Sequence, residues 1–595
     1  MQIGSVEDTT GKITVVWFNQ PFLIKTLYPG RTVSLSGKVG FFGRKPCLTS
    51  PDYEVLSNED TPTVHTGRLV PIYPETSGLS SKWMRTLIRA AFKDSGLELN
   101  DNLPKDTLGK HKLVGLKEAI EKVHFPENLD EAQKGRKRLA FNELLSLELT
   151  SLRRKIDWKK HAVANKLTIN KLTINKFVES LPFKLTDSQK QAATEILDDL
   201  AKSIPMNRLL EGDVGSGKTV VAAIGAFAAF ANGYQTVIMA PTQILAEQHY
   251  VTLKKLLEPF SVRISLLTSE VKKVEIGRSD IFVGTHSLIH NKIGFDKVAL
   301  VVIDEQHRFG VEQRAHLIKK SGKKSVAPHV LTMTATPIPR TIALTTYGDL
   351  DLSVLTELPA GRLKIVTWVV PSQKRNDAYK WIESQVLSLK SQVFVICPLI
   401  EESEEETMEG VKAATVEFNK LKSVLKNLKL GLLHGRMNAK EKDIVLGDFR
   451  SRRIDILVST PVVEVGIDIP NATIMVIEAA ERFGLAQLHQ LRGRVGRGDA
   501  KSYCLLFSNF HSGNAFRRLK AMETMHSGFE LAELDLKMRG PGEIFGTAQH
   551  GFDELKIASW SNYKMIKETK SIAEDVFKNP QKYPILTKKY ENILC

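Results

Sequence analysis

The 595-residue chain contains only four cysteines, and they lie far apart along the sequence. Cys47, Cys397, Cys504 and Cys595 form no Cys-x-x-Cys pair. Structural zinc sites and disulfide frameworks both depend on cysteines at short, repeated spacings. The cysteine content therefore argues against both kinds of site, and it favours a protein of a reducing compartment.

The sequence also lacks a long hydrophobic run and a recognisable secretion signal. The longest apolar stretch, around residues 220–231, is too short to cross a bilayer, which takes about 20 residues. The first residues have neither the basic segment nor the apolar segment of a signal peptide. From these two absences we expect a protein that is neither embedded in a membrane nor exported.

Positive charge, by contrast, is in excess. The 83 Lys and Arg residues outnumber the 67 Asp and Glu residues by 16, and the isoelectric point is near 9.4. An excess of this size favours a polyanionic partner such as nucleic acid. Charge alone, however, fits an ordinary basic enzyme equally well. The apolar fraction of 42% is typical of globular proteins, and the length predicts several domains.

Changes of pattern divide the chain into five predicted domains. Short alternating segments with turn signals predict a small, partial β-barrel of the OB-fold type over residues 1–65. Helical periodicity predicts a connector over 66–180. Alternating strands and helices predict two parallel α/β lobes over 181–355 and 362–515, and a basic helical tail over 516–595.

Three details of this division carry further expectations. The segment 348–362 has little periodicity, and we interpret it as the hinge between the lobes. The long helix predicted over 131–156 carries several basic residues, including Arg138, which are expected to lie mainly on a solvated face. The pentapeptide Lys-Leu-Thr-Ile-Asn at 166–170 recurs at 171–175, which suggests an expanded linker without chemistry.

One stretch carries a strong chemical signal. Residues 212–219 match the phosphate-binding P-loop pattern G-x-x-x-x-G-K-[ST], with a short apolar strand before them and an apolar helix after them. Loop N–H groups can surround the phosphates, Lys218 can neutralise phosphate charge, and Thr219 can hold Mg²⁺. The predicted nucleotide-binding residues are Gly212, Asp213, Val214, Gly215, Ser216, Gly217, Lys218 and Thr219.

An acidic pair follows the buried strand predicted over 299–303. The site of a parallel α/β sheet lies at the carboxyl ends of its strands, so Asp304 and Glu305 are expected near the P-loop. Asp304 can bind Mg²⁺, directly or through water. Glu305 can polarise the water that attacks the γ-phosphate.

The second lobe supplies a cluster of arginines. Residues 490–497 read Gln-Leu-Arg-Gly-Arg-Val-Gly-Arg and place three arginines within six positions. Hydrolysis of ATP requires positive charge on the γ-phosphate as it leaves, and an arginine presented across a cleft can supply it. We therefore expect closure of the lobes to bring Arg494 and Arg497 to the nucleotide, which would couple hydrolysis to lobe movement.

In this order, the P-loop, the acidic segment, Thr-Ala-Thr-Pro at 334–337 and the arginine segment resemble superfamily 2 helicases. Longer matches resemble the RecG family of bacterial branch-migrating DNA helicases, including its translocation motif in the tail. These matches lie at 304–311, 332–341 and 459–470, with Arg539–Glu543, Gly546, Thr547 and Gln549 in the tail.

This resemblance implies both the fold and the activity. It implies two RecA-like lobes, preceded by a wedge domain of the OB type and followed by a helical hairpin. It implies an ATP- and Mg²⁺-dependent translocase on double-stranded DNA that reverses stalled forks and migrates Holliday junctions in DNA repair and recombination. The implied partners are branched duplex DNA and a single-stranded DNA-binding protein. The implied state is a monomer in the bacterial cytoplasm, associated with the nucleoid.

The resemblance also assigns roles that the patterns alone do not. Phe183 and Gln189 match the segment that stacks on adenine and hydrogen-bonds it, and Gly466 and Asp468 match the nucleotide-side motif of the second lobe. The implied DNA-contacting residues are Thr242, Thr285 and His286 in the first lobe, Arg518, Arg539 and Gln549 in the tail, and Phe41 and Phe42 in the wedge.

Thr334 and Thr336 match the element that links hydrolysis to DNA contact. The local pattern around Phe41 and Phe42 fits base stacking and core packing equally well, and only the resemblance, which sets them near the tip that splits a fork, favours stacking. Family members usually carry a further segment before the point where this chain begins. We therefore expect the motor to be intact and the grip of the wedge on a fork to be altered.

Three other functions fit parts of the sequence. The motor of a transcription-repair coupling factor has similar lobes and a similar tail, but it would need a polymerase-interacting module, and none is visible. A DNA-binding protein of helicase shape that has lost hydrolysis need not keep Lys218, Asp304, Glu305 and Arg497. A metal-dependent nuclease would need a separate carboxylate cluster, and we find none in the sequence.

Overall fold

The computed structural model of the chain contains two compact units, one formed by Met1–Leu149 with Leu555–Cys595 and the other by Thr150–Glu554. Among the helices it describes, none is long and apolar enough to cross a membrane. The described residues are 1–43, 45–57, 63–93, 99–161, 164–268, 272–273, 279–285, 288, 295, 297–305, 326–336, 350–359, 363–398, 404–461, 469, 471–496, 498, 500–510, 512–538 and 555–591.

The first unit begins with six strands in two small sheets, with strand order β1-β2-β5-β4 in one and β3-β6 in the other. Buried Val15, Trp17 and Leu23 form a shared core with side chains from both sheets, and the Trp17 indole donates to the Pro51 carbonyl at 3.1 Å. The elements are β1 (Gln2–Asp8), β2 (Gly11–Trp17), α1 (Leu23–Thr26), β3 (Val33–Ser36), β4 (Val39–Phe42), β5 (Lys45–Thr49) and β6 (Asp52–Val55).

Four helices follow, in the region where helical periodicity predicts a connector. They are α2 (Ser81–Lys93), α3 (Lys105–His111), α4 (Leu116–His124) and α5 (Leu129–His161). The basic residues Arg136, Lys137 and Arg154 of α5 are exposed, as expected, but Arg138 is an exception because it is fully buried. Its guanidinium donates to Asp101 at 2.6 Å and to the Asn102 amide oxygen at 2.8 Å. These partly buried hydrogen-bond partners stabilise the charge inside the unit.

The first lobe of the second unit is built on an eight-stranded sheet with the order β10-β9-β11-β8-β12-β13-β7-β14. All neighbours are parallel except β10, which is antiparallel to β9. The elements are α6 (Lys171–Glu179), α7 (Asp187–Leu200), β7 (Asn207–Gly212), α8 (Lys218–Ala231), β8 (Gln235–Met239), α9 (Gln243–Leu257), β9 (Ile264–Leu267), β10 (Lys272–Lys273), β11 (Ile281–Gly284), β12 (Val298–Asp304), β13 (His329–Thr334) and β14 (Asp351–Leu355).

Two sequence expectations are wrong in this lobe. The segment interpreted as a hinge contains β14, which pairs with β7 as an edge strand of the sheet. The repeated pentapeptide is not a bare linker, because Leu167 of its first copy and Ile174 of its second are buried in the core of the lobe.

The second lobe is a six-stranded, wholly parallel sheet with the order β15-β20-β19-β16-β18-β17. Its buried strands are rich in Val, Ile and Leu, as expected of strands covered on both faces. The elements are β15 (Val366–Pro371), α10 (Arg375–Leu389), β16 (Gln392–Ile396), α11 (Glu404–Val424), β17 (Leu430–Leu433), α12 (Ala439–Arg450), β18 (Ile456–Ser459), β19 (Ala472–Ile477), α13 (Leu485–Arg492) and β20 (Tyr503–Ser508).

The last helices contribute to both units. Helices α14 (Gly513–Thr524) and α15 (Gly528–Met538) form a hairpin in the second unit, where Leu519, Met522 and Leu531 join the core of the second lobe. Helices α16 (Tyr563–Lys578) and α17 (Pro584–Glu591) belong to the first unit.

Candidate nucleotide-binding site

The P-loop lies between β7 and α8, in the strand–loop–helix context that the sequence predicts. Gly215 and Gly217 have φ values of 79° and 87°, in the left-handed region that favours glycine. A Cβ atom at Gly217 would also collide with the side-chain amide of Gln189. The loop geometry thus requires glycine at these positions, and α8 begins immediately afterwards, at Lys218.

The lysine of the loop bonds to the loop itself. Lys218 Nζ donates to the carbonyls of Gly212 at 2.7 Å and Asp213 at 3.1 Å. Burial lowers the pKa of Lys218, while the negative charges of Glu305 and Asp304 oppose this effect. Two of the three ammonium donors of Lys218 thus bond to the loop itself. Thr219 follows in the first turn of α8, where its hydroxyl could face Mg²⁺.

The acidic pair lies at the end of β12, at the carboxyl edge of the sheet, as expected. Asp304 Oδ2 lies 2.7 Å from Nε2 of His249, a buried residue of α9. Burial acts to raise the pKa of Asp304, but the bond to His249 and the charge of Lys218 lower it overall. The carboxylate is therefore held ionised, which suits a ligand of a divalent cation.

Glu305 differs from its neighbour. Burial, assisted by the charge of Asp304, raises its pKa, so the carboxylate is a better proton acceptor. Its backbone has φ of 51°, a conformation that costs a non-glycine residue about 1–3 kcal/mol and that occurs often at functional sites. The Ala335 N–H donates to Glu305 Oε1 at 3.3 Å, which orients the side chain.

The second lobe reaches this site through α13 and the residues after it. Arg494 is buried, and its charge lowers the pKa of both Lys218 and Glu305. Gln490 Nε2 donates to the Thr336 hydroxyl at 2.7 Å, and the Thr334 hydroxyl accepts from the Thr336 N–H at 3.1 Å. Residues of both lobes thus surround one small region next to the P-loop.

The two residues assigned to adenine lie at different depths. Gln189 is buried, and its amide oxygen accepts from the Thr186 N–H at 2.9 Å. Its amide nitrogen donates to the Ser216 carbonyl at 2.8 Å, which fixes the amide against the P-loop. Phe183 is 44% exposed and is free to stack.

The residues assigned to DNA lie in several places. Thr242 caps the start of α9 and accepts from the Leu245 N–H at 3.3 Å, and Thr285 follows β11 at the carboxyl edge of the sheet. Arg518 of α14 donates to the Glu481 carbonyl at 2.9 Å. In the first unit, Phe41 and Phe42 of β4 are 76% and 43% exposed.

Six assigned residues lie outside the residues that the structure describes. They are His286, Gly466, Asp468, Arg497, Arg539 and Gln549. Within the described ranges, no group of three or more His, Cys, Asp or Glu side chains could hold a metal ion. Mg²⁺ in nucleotide sites commonly takes one or two carboxylates together with phosphates and water. Asp304 and Thr219 fit that requirement.

Sequence reasoning missed two histidines. His249 contacts Asp304, and His489 of α13 lies 3.1 Å from the carboxylate of Asp213. The only local signal for His249 is its position two turns after Thr242 on an amphipathic helix, which is equally typical of a core histidine. His489 is adjacent to the arginine segment, but its partner lies 276 positions away along the chain, where no spacing rule applies.

Four protein-family models match separate parts of the chain. The chain matches the DEAD/DEAH box helicase family over 186–345 and the helicase conserved C-terminal domain over 378–499. It also matches the RecG wedge domain over 2–94 and the C-terminal part of domain 3 of ATP-dependent DNA helicase RecG over 525–591.

Several curated proteins named ATP-dependent DNA helicase RecG are similar over most of the chain. The Synechocystis sp. protein is 45% identical across 90% of this chain, which spans 65% of that protein's length. The Thermotoga maritima protein is 43% identical, with 95% of this chain and 72% of the relative covered. The Bacillus subtilis protein is 39% identical, with 96% and 84% covered.

A solved structure of RecG bound to a three-way DNA junction is also similar. The TM-score is 0.69 at 37% sequence identity, and the match covers 96% of this chain and 75% of that one. The fold, with two parallel-sheet lobes and a wedge at the amino terminus, agrees with this match. The chain therefore belongs to the RecG family of ATP-dependent DNA helicases.

Proposed function

We propose that this chain is an ATP-driven translocase on double-stranded DNA that unwinds and remodels branched DNA, including stalled forks and Holliday junctions. The observation that carries the proposal is the convergence of charged groups beside the P-loop. Lys218, Asp304 and Glu305 of the first lobe share their electrostatic environment with Arg494 of the second. A site that needs both lobes can convert hydrolysis into movement of one lobe against the other.

The following roles are part of the proposal. Lys218 and the P-loop N–H groups would bind the phosphates, and Asp304 and Thr219 would hold Mg²⁺, which would supply positive charge to the phosphates. Glu305, whose pKa is raised, would accept a proton from the attacking water. Arg494, with Arg497 beside it in sequence, would stabilise charge on the leaving phosphoryl group. The site described above supports these roles for all but Arg497, which follows from sequence alone.

The DNA substrate is proposed from the family and from the wedge. The similar solved structure is of RecG bound to a three-way DNA junction, and this chain matches the family's wedge domain. The exposed rings of Phe41 and Phe42 could stack on bases where strands part, since stacking does not depend on sequence. Thr242, Thr285, His286, Arg518, Arg539 and Gln549 are proposed to contact DNA.

The remaining parts of the proposal rest on the family. They include adenine binding by Phe183 and Gln189 and the nucleotide-side roles of Gly466 and Asp468. Interaction with a single-stranded DNA-binding protein, a monomeric state and a cytoplasmic location beside the bacterial nucleoid are likewise proposed by family membership alone. The five domain boundaries are instead proposed from the changes of pattern along the sequence.

The alternatives gain less support. The first unit carries a RecG wedge match rather than a polymerase-interacting module, which disfavours the motor of a transcription-repair coupling factor. The contact between His249 and Asp304 and the raised pKa of Glu305 are features of a hydrolytic site. A protein that only binds DNA has no need of them.

Steady-state ATPase rates test the proposal, measured without DNA and with single strands, linear duplex, a model fork or a four-way junction. We expect the branched DNAs to stimulate hydrolysis most and to be unwound in parallel. Lys218→Ala should abolish turnover, whereas Lys190→Ala, which removes an exposed lysine of α7, should not. Wild-type turnover in Lys218→Ala would remove the basis of the motor assignment. Equal stimulation by linear duplex would contradict the branch preference.

A further inference from the structure

We propose that Asp213, His489 and Arg492 form a positioning link through which the P-loop sets the position of the hairpin α14–α15. The link joins three elements that are far apart in sequence: the nucleotide-binding loop, helix α13 of the second lobe, and the turn between the hairpin helices. The inference rests on the proposed motor function for its biological meaning, but its geometry and its first test do not.

Asp213 is the second residue of the P-loop, and its carboxylate faces away from the loop. One oxygen lies 3.1 Å from Nε2 of His489. The other accepts from the Gly528 N–H at 3.1 Å. Gly528 is the first residue of α15, where unsatisfied N–H groups and the helix dipole favour a negative charge. One P-loop side chain thus contacts both the second lobe and the second helix of the hairpin.

Arg492 holds the other side of the hairpin turn. It is buried, and it donates to the Met522 and Met525 carbonyls at 2.9 and 3.0 Å and to the His526 carbonyl at 3.2 Å. These carbonyls belong to the last turn of α14 and to the connection that leads into α15. The turn is therefore fixed at its start by Arg492 and at its end by Asp213.

The central histidine has a defined proton arrangement. Arg492 donates to Nδ1 of His489 at 2.8 Å, and a guanidinium has no acceptor, so Nδ1 carries no proton. The neutral ring then carries its proton on Nε2 and donates it towards Asp213. Burial acts to raise the pKa of Asp213, but His489 and the Gly528 N–H outweigh it and lower the pKa. Asp213 is thus held as a carboxylate that accepts from the Gly528 N–H and lies in close polar contact with His489.

Two features make this link sensitive to the nucleotide. Lys218 donates to the Asp213 carbonyl at 3.1 Å, so a phosphate that draws Lys218 Nζ towards itself would act on the backbone that carries the Asp213 side chain. The next residue, Val214, packs closely against Gly493. A Cβ atom added to Gly493 would lie only 2.9 Å from the Cβ of Val214. A shift of the P-loop would therefore be transmitted to the end of α13 both by contact and by hydrogen bonds.

A ligand site is a poor explanation for the same groups. The cavity bordered by Asp213, His489 and Arg492 measures about 50 Å³, whereas small-molecule sites usually exceed about 300 Å³. Its polar groups instead bond to one another across elements. Coupling of this kind is reciprocal, so a nucleotide that moves the hairpin must also bind with an affinity that depends on what the hairpin holds.

Hydrogen exchange of the wild-type chain, with and without a non-hydrolysable ATP analogue and Mg²⁺, is the first test and requires no motor activity. We expect the analogue to change exchange at residues 522–528 as well as at the P-loop. A change confined to the P-loop would overturn the proposal. If the exchange changes but branched DNA is not unwound, the link stands and the proposed function fails.

Two substitutions at His489 supply the second test. His489→Gln keeps one donor and one acceptor on a side chain of similar reach, whereas His489→Phe keeps the ring and removes both bonds. In His489→Phe we expect the analogue to lose its effect at 522–528, and strand separation per ATP hydrolysed to fall about tenfold, within the usual range of site coupling. His489→Gln should restore both the effect of the analogue at 522–528 and the strand separation per ATP. Each variant should retain the ATPase rate that is measured without DNA.

The same pair separates coupling from stability. If His489→Phe lowers ATPase and strand separation in equal proportion, the residue is merely structural and the proposal is overturned. The proposal also fails if His489→Phe behaves like the wild type, or if His489→Gln is as impaired as His489→Phe. Should His489→Phe not fold, the exchange measurement on the wild type still decides.

Discussion

At the scale of single residues, the site depends on side chains that hold other side chains. His249 is the clearest case, because a buried imidazole lies 2.7 Å from the carboxylate proposed to hold Mg²⁺. Partners of metal ligands fix the ligands' orientation, and removal of such a partner commonly costs 10- to 100-fold in metal affinity or activity. Residue types along the chain do not reveal such pairs, since they form only when α9 packs beside β12.

We therefore predict that His249→Leu raises the Mg²⁺ concentration needed for half-maximal ATPase by about tenfold or more. His249→Gln can still donate to Asp304 and should lose less. The measurement is a Mg²⁺ titration of ATPase at saturating ATP. An unchanged Mg²⁺ requirement in His249→Leu would show that Asp304 needs no such support.

A second buried carboxylate predicts a dependence of stability on pH. Burial, with a contribution from the charge of Glu417, raises the pKa of Glu478 to about 7, although Arg375 contacts it at 2.8 Å. Between the ordinary value of 4.5 and about 7, the folded chain therefore binds more protons than the unfolded chain. Stability contributed by protonated Glu478 is present below this window and is lost as the pH rises through it.

We predict that Glu478→Gln removes this pH-dependent part of the free energy of unfolding, which amounts to at most about 3 kcal/mol. Guanidinium unfolding of the wild type and of Glu478→Gln at pH 5 and pH 8 measures it. The stability of the variant relative to the wild type should be higher at pH 8 than at pH 5. The same difference at both values would mean that Glu478 stays ionised throughout.

At the scale of secondary structure, the sequence predicts the alternation of strands and helices in the two lobes, because buried parallel strands are continuous apolar runs. One strand that it does not predict is β14, where Ser353 faces inwards and is buried. There the Ser353 hydroxyl accepts from Arg208 at 2.8 Å and contacts Glu195. A polar residue at an inward position breaks the local pattern, and only the folded lobe supplies its partners.

The repeated pentapeptide shows the same limit within one pair of segments. Residues 166–170 are extended, whereas the identical residues 171–175 begin α6. In the first copy Leu167 is buried, and in the second copy Leu172 is 75% exposed while Ile174 is buried. Identical local preferences therefore lead to two conformations, and the surrounding core decides between them.

The repeat also offers a matched pair of substitutions. Asn170 caps α6 by accepting from the Leu172 and Thr173 N–H groups at 3.0 and 3.3 Å, whereas Asn175, its counterpart in the second copy, lies exposed within the helix. Asn170→Ala should cost about 1 kcal/mol of unfolding free energy, and Asn175→Ala should be neutral or slightly stabilising. Chemical unfolding of both variants tests this. Equal effects would show that the cap contributes nothing.

At the scale of the whole molecule, the central claim is that the two lobes of the second unit form one hydrolytic site. The P-loop and the acidic pair come from the first lobe, and the sequence predicts both from motifs. The arginine segment also predicts that Arg494 approaches the nucleotide, and in the structure the charge of Arg494 acts on Lys218 and Glu305.

The most direct test is single-turnover ATP hydrolysis by Arg494→Ala, measured beside its affinity for an ATP analogue. The matched control is Arg453→Ala, since the side chain of this second-lobe arginine is 71% exposed and contacts Asp448 and Ser451 at the surface. We predict that Arg494→Ala binds the analogue within a few-fold of the wild type but hydrolyses ATP about 10³-fold more slowly, as for other arginines that stabilise a leaving phosphoryl group. Arg453→Ala should match the wild type. Undiminished hydrolysis in Arg494→Ala would contradict a site shared between the lobes.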